Sequence, residues 1–192
     1  NHNYNNNYTM ASPEDVSQMA SLMLALTQPD TETIRQAEAT LKPILKDARC
    51  IPALLEVLKG RGVQPNGVRH VSAIILRKRI AGHYAKFDAK SKAELKTEVL
   101  GVLANEPERP VRGGVVGIAA TIAKMEEQDS SVATNPNAIA ASPDSSTGGG
   151  WPDLWQFVAA AASDPHPDAR ELAFWILSET TETIGLHLQA QF

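Results

Sequence analysis

Between Asn66 and Ile80 the apolar residues recur with the period of an α-helix, and Val68, Val71, Ile75 and Leu76 share one stripe. Asn66, His70 and Arg77 fall on the opposite face, with Arg69 at its edge and Lys78 alongside. The segment in front, Ile51 to Leu58, opens at Pro52, carries Leu54, Leu55 and Leu58, and stops at Gly60. This pattern predicts two short amphipathic helices joined through Gly60–Gly67 into an antiparallel hairpin. Neither is long enough to stand alone in water. The apolar stripe needs neighbours, and the rest of the chain supplies more of the same unit.

Ser12-Pro13-Glu14-Asp15 is a helix start: a capping Ser, Pro at the first helical position, then acids at the positive helix end. Val16, Met19, Ala20, Met23, Leu24 and Leu26 carry the stripe to Thr27, and Gln28-Pro29-Asp30 makes a turn. A second helix, capped by Asp30 or Thr31, buries Ile34, Ala37, Leu41, Ile44 and Leu45, with Pro43 expected to kink or shorten it. A third hairpin begins at Ala89 with Leu95, Val99, Leu100, Val102 and Leu103, breaks at Glu106–Pro110, and returns from Val111 to Lys124. Gly113, Gly114 and Gly117 lie inside that return helix at a cost of roughly 1 kcal/mol each against Ala. They predict a close backbone approach to a neighbouring helix. A phosphate-binding glycine loop would need a preceding strand and a Lys-Ser/Thr directly after the glycines, and neither is present here.

From Glu126 to Gly150 no helical period survives, and Ser, Asn, Pro, Asp and Gly dominate. That composition predicts a flexible insertion. A fourth pair follows: Leu154, Trp155, Phe157 and Val158, a turn at Ser163–Asp168, then a helix toward Leu188 burying Ala169, Leu172, Ala173, Ile176, Leu177 and Ile184. Unit starts at Ser12, Cys50 and Ala89 are about forty residues apart, the spacing of HEAT-type helical hairpins. The expected fold is therefore all-α: a right-handed α-solenoid of about four HEAT-type repeats, the N-terminal fragment of a longer superhelix. Its expected parts are a disordered polar leader (1–11), repeats 1–3 (12–128), the flexible insertion (129–150) and repeat 4 (151–192). The last helix carries no polar capping repeat after it, which predicts an uncovered stacking surface at Phe174, Trp175 and Leu188.

Composition narrows the function. A net charge of −4 argues against direct nucleic-acid binding, which needs a basic surface to displace counterions. The single Cys50 excludes an internal disulfide and a thiolate metal site. No apolar run reaches membrane-spanning length, and no signal-peptide pattern opens the chain, so an intracellular, soluble protein with no membrane insertion is expected. His83, His166 and His187 lack zinc-ligand spacing, and no nucleophile elbow is present. The expectation is a binding protein, not an enzyme, with no cofactor and no metal.

Three runs then carry a resemblance: QAEATLKPILKDARCIPALLEVL, VRHVSAIILRKRI, and KAELKTEVLGVLANEPERPVRGGVVGIAATIAK. With the tail WPDLWQFVAAAASDPHPDARELAFWILSETTETIGLHL, they resemble the N-terminal region of the importin-beta (karyopherin-beta) family, in the phrasing of its importin-four branch. The resemblance runs from about Leu22 to the end and departs in the leader and the 129–150 insertion. It implies a nuclear transport receptor that shuttles between cytoplasm and nucleus. Its N-terminal repeats would bind the small GTPase Ran in its GTP form through the concave face formed by the second helices. On that face the candidate Ran contacts are Asn66, Arg69, His70, Arg77 and Lys78. Protein cargo, of basic character, and nucleoporins bound through repeats outside this chain are the further implied partners. Two alternatives stay open: a HEAT scaffold for a multiprotein complex without Ran, and an export receptor.

Overall fold

A computed structural model of the chain describes residues 11–133 and 150–189, with side chains over 11–128 and 150–181. These residues form α1 (Pro13–Leu26), α2 (Thr31–Ile44), α3 (Cys50–Lys59), α4 (Asn66–His83), α5 (Ala89–Asn105), α6 (Arg109–Ala133), α7 (Pro152–Ala162) and α8 (Pro167–Gln189). A 3-10 turn, Tyr84–Lys86, follows α4, and there is no strand among the described residues. The all-α class expected from the periodicity is what the chain adopts. It divides into two compact units, Asn1–Ile118 and Ala119–Phe192, the division falling within α6.

Local chemistry sets the helix starts. Ser12 Oγ accepts the Asp15 N–H at 3.1 Å, Asp30 accepts that of Thr33 at 2.8 Å, and Asp88 accepts that of Ser91 at 2.7 Å. Side-chain and then backbone hydrogen bonds from Thr33 hold the Asp30 carboxyl below its ordinary pKa, and those from Ser91 do the same for Asp88. α2 ends one residue past Pro43, although the N–H of Leu45 still reaches the Leu41 carbonyl at 3.0 Å. The proline shortens the helix instead of bending its middle.

The first unit is built around α3. In α3, Cys50 to Leu55 are all buried, and so are Val57 and Leu58. The expected amphipathic helix is therefore apolar almost all round, because α1 and α4 both pack on it. Only at Glu56 and Lys59 does it reach solvent, and there Lys59 pairs with Glu56 at 2.6 Å and with Glu98 of α5 at 3.0 Å. Burial opposes the Lys59 charge, but the hydrogen bonds it donates to Glu56 and Glu98 outweigh it and hold the ammonium above its ordinary pKa. On α1, Met19, Ala20 and Met23 are buried as the stripe predicted, whereas Leu24 is 47% exposed.

Burial pushes the Cys50 thiol up to about 12, with the field of Asp47 adding to the rise and that of Arg79 opposing it. A thiol reagent at pH 8 is expected to leave the folded chain unmodified and to react once urea unfolds it. Between the ordinary thiol value of 9.0 and about 12, the folded state keeps a proton that the unfolded state has lost. Stability contributed by Cys50 is thus complete below pH 9 and declines as pH rises through that window. Cys50→Ala should flatten this part of the stability curve relative to wild type; identical curves would refute the assignment.

The second unit buries Ala119, Ile122 and Ala123 of α6, Trp151 and Leu154 at the start of α7, Val158, and Leu172, Ala173 and Ile176 of α8. α7 and α8 pack as a hairpin. Phe174 is 70% exposed on α8, as the uncovered surface predicted, while Trp175 is half-buried; the side chains of Ile184 and Leu188 lie outside the described residues. α6 continues to Ala133, so the stretch Glu126–Ala133 is helical where the sequence reading placed the opening of an insertion. Met125, Glu126, Glu127 and Gln128 extend the helix by intrinsic propensity without an apolar stripe. Residues 134–149 of that insertion and 1–10 of the leader lie outside the described residues. At Gly150, φ is +108°, and an added Cβ would meet Glu127 Oε1 at 2.7 Å, two reasons for glycine at this entry to α7.

Candidate functional site

α4 is the helix on which all five candidate contacts sit, and its phase decides which of them face outward. Val68, Arg69, Ser72, Ala73, Leu76, Ile80 and His83 are buried. The buried stripe is therefore turned from the expected one. Val71 and Ile75 are only half-buried, and Ile74 is 39% exposed. The cause is that α4 packs closely on its neighbours through small residues. Ser72 Oγ donates to the Leu54 carbonyl of α3 at 2.7 Å. A Cβ at Gly114 of α6 would stand 2.6 Å from that of Ala73. The helix contact predicted from the glycines of α6 is thus present, and it faces Ala73 and Arg77 of α4.

Asn66, Arg77 and Lys78 are exposed and His70 is half-buried, so four of the five candidates share the outward side of α4. Ile74 stands among them, between His70 and the two cations. Arg79 is exposed as well. The outward face thus has an apolar centre with a basic flank, the anatomy of a protein contact surface. Arg77 is held against α6: a Cβ at Gly117 would lie 2.7 Å from one guanidinium nitrogen and 2.9 Å from Cδ and Cζ.

Arg69 does not belong to this face. Its side chain and that of Glu106 are each 2% exposed, and the two form an ion pair. Arg69 Nε donates to the Leu58 carbonyl at 2.9 Å, one terminal nitrogen donates to Asn66 Oδ1 at 3.4 Å and Glu106 Oε1 at 3.3 Å, and the other donates to Glu106 Oε2. Glu106 Oε1 also accepts the Glu108 N–H at 3.0 Å, and its carbonyl accepts Arg112 Nε at 2.7 Å. The guanidinium ties the end of α3 and the start of α4 to the α5–α6 turn, so every donor it has points inward. The sequence reading of Arg69 as an edge contact is corrected on that ground.

Above this pair opens a cleft of 340 Å³ lined by Lys59, Arg61, Glu98, Gly101, Val102 and Asn105. Arg61 closes one side by donating to the Asn105 carbonyl at 3.2 Å. Among the described residues no group of His, Cys, Asp and Glu is arranged to hold a metal ion, and no helix is long and apolar enough to cross a membrane. What α4 offers chemically is recognition: an exposed isoleucine for apolar contact and Arg77 and Lys78 for carboxylates.

Comparison with known proteins places this arrangement. Residues 37–105, from α2 through α5, match the model of the importin-beta N-terminal domain. Importin-4 of Mus musculus is 24% identical over 160 residues, which cover 83% of this chain and 13% of that protein. Importin-4 of Homo sapiens is 30% identical over 108 residues, covering 56% of this chain and 10% of the relative. The chain thus spans a small fraction of the relatives' length. Among solved structures, Kap121p bound to RanGTP superposes with a TM-score of 0.67 at 20% identity, over 90% of this chain and 15% of that one. Kap121p alone superposes at 0.65 and 18% identity, over 91% of this chain and 15% of that one. These likenesses agree with the helical-hairpin fold: residues 37–105 match the importin-beta N-terminal domain, and the chain is similar to the importin-4 proteins.

Proposed function

We propose that this chain is the N-terminal, Ran-GTP-binding part of a nuclear transport receptor that carries protein cargo through the nuclear pore, moving between cytoplasm and nucleus. The observation that carries the reading is the outward face of α4, inside the importin-beta N-terminal domain, where Ile74 stands beside Arg77 and Lys78. An exposed isoleucine within a basic rim favours a folded protein partner with an acidic surface. The complex of the similarly folded Kap121p with RanGTP supports Ran as that partner. Asn66, His70, Arg77 and Lys78 are the proposed contacts, with Ile74 as their apolar centre. Cargo and nucleoporins would use other parts of the full receptor.

The test is binding of immobilised chain to Ran loaded with a slowly hydrolysed GTP analogue or with GDP. Preference for the GTP form is expected. Arg77→Glu should weaken that binding by roughly 1–3 kcal/mol, through a lost charged contact and an added repulsion. Circular dichroism should stay unchanged, since Arg77 is exposed. His70→Ala, on a half-buried residue about two turns away, should do less. Equal binding of both nucleotide forms would favour a HEAT scaffold without Ran, and undiminished binding by Arg77→Glu would move the site off α4.

A further inference from the structure

We infer that Gly117 of α6 is a positioning residue for Arg77, setting the pose in which the guanidinium meets an acidic group of its partner; the inference rests on the α4 face being the Ran-GTP contact. Gly114 and Gly117 are one helical turn apart on α6, and Ala73 and Arg77 are one turn apart on α4. The first pair seats methyl against backbone, with a Cβ at Gly114 only 2.6 Å from that of Ala73. The second pair is different. The place of the missing Gly117 Cβ is taken by the far half of an arginine, with Cδ and Cζ 2.9 Å and a terminal nitrogen 2.7 Å away.

An arginine lying along a neighbouring helix has fewer rotamers than one projecting freely into water. Ordering a long cation at an interface costs entropy, and a side chain already laid down has less to lose. Its planar fork rewards this most, because two parallel hydrogen bonds to a carboxylate form only in a narrow range of orientations. Any side chain at position 117 would lift the guanidinium away from α6 and change its direction. Ala is the smallest such change. It favours the helix and displaces only the end of a flexible side chain, so the fold is retained. Gly101 of α5 is the matched control: a Cβ there meets nothing within 4 Å.

The experiment measures binding of Ran, loaded with a slowly hydrolysed GTP analogue or with GDP, to wild type, Gly117→Ala, Arg77→Ala, the double variant and Gly101→Ala. Gly117→Ala should bind the GTP form roughly fivefold more weakly, less than the loss from removing Arg77 itself. The double variant should bind no more weakly than Arg77→Ala alone, and Gly101→Ala should bind like wild type. Wild-type affinity in Gly117→Ala overturns the inference, as does an equal further loss in the Arg77→Ala background, which would mean that α6 itself moved. Nitrogen relaxation of the Arg77 guanidinium, measured without partner, reads the pose directly: slow in wild type and fast in Gly117→Ala. Fast motion in wild type overturns the inference even where binding is normal. No preference of wild type for the GTP form removes the Ran reading and this inference with it.

Discussion

Arg69→Ala is expected to cost the first unit about 3–5 kcal/mol, because it leaves the buried Glu106 carboxylate without its ion-pair partner. The loss has several parts. Leu58 at the end of α3 loses the donor to its carbonyl, and Asn66 loses its link to the α5–α6 turn. Of its carboxylate contacts described above, Glu106 keeps the Glu108 N–H. Glu106→Ala should cost a similar amount, since it strands the guanidinium instead. Joint replacement by apolar residues of similar volume, Arg69→Met with Glu106→Leu, should recover most of the stability, for a buried pair gains little over well-packed hydrocarbon. Thermal melts should show the single variants lowered by about 10 °C or more and the double variant much less. A loss below about 1 kcal/mol in both single variants would mean that water reaches the pair.

The capped helix starts were legible because their chemistry is local. Ser12 and Asp30 each act on an N–H three residues ahead, which sequence spacing alone reveals, whereas the same cap at Asp88 was read only as part of a connector. Hairpin spacing and the turns at Gln28-Pro29 and Glu106–Pro110 were legible for the same reason. Helix α3 shows where period counting fails. Its run Cys50–Leu58 is apolar on every side but Glu56, and a stripe was drawn where the sequence offered a nearly complete apolar cylinder. The end of α6 failed in the opposite direction. Met125 to Gln128 have no apolar stripe, yet they favour helix intrinsically and continue it.

On α4 the error was one of bulk. Val71 and Ile75 outweigh Ser72 and Ala73 on any hydrophobic scale, but the smaller pair is buried because neighbouring backbones come too near for larger side chains. That turned Ile74 outward and drew Arg77 toward α6 without removing Asn66, His70 or Lys78 from the solvent side. Arg69 was beyond reach of pattern. A charged residue is exposed by default, and its partner Glu106 lies 37 residues away in a segment that reads as a proline-rich break. The glycines of α6 did signal a helix contact, because three of them inside one helix demand a spatial reason. They could not name the helix they face.

That contact carries the second large effect. Gly114→Leu is expected to cost about 3 kcal/mol or more, and Gly114→Ala about 1–3 kcal/mol, even though both residues favour helix over glycine. A Cβ at Gly114 would stand 2.6 Å from the Ala73 Cβ, and behind it lie the Ala73 Cα at 3.8 Å and carbonyl carbon at 3.9 Å. The obstacle is a methyl fixed to backbone, with no rotamer to yield, so α4 and α6 must part and Ala73, fully buried, loses its packing. Gly101→Ala, a matched change into open space on α5, should instead stabilise the chain by about 1 kcal/mol or less. The decisive variant moves the methyl across the contact. Ala73→Gly combined with Gly114→Ala restores one Cβ to the space, and it should be more stable than the two single effects predict by at least about 1 kcal/mol. Urea unfolding of the four chains measures this coupling. If Gly114→Ala raises stability as Gly101→Ala does, the two helices are not in tight contact at this position, and the small-residue account of the α4 phase falls with it.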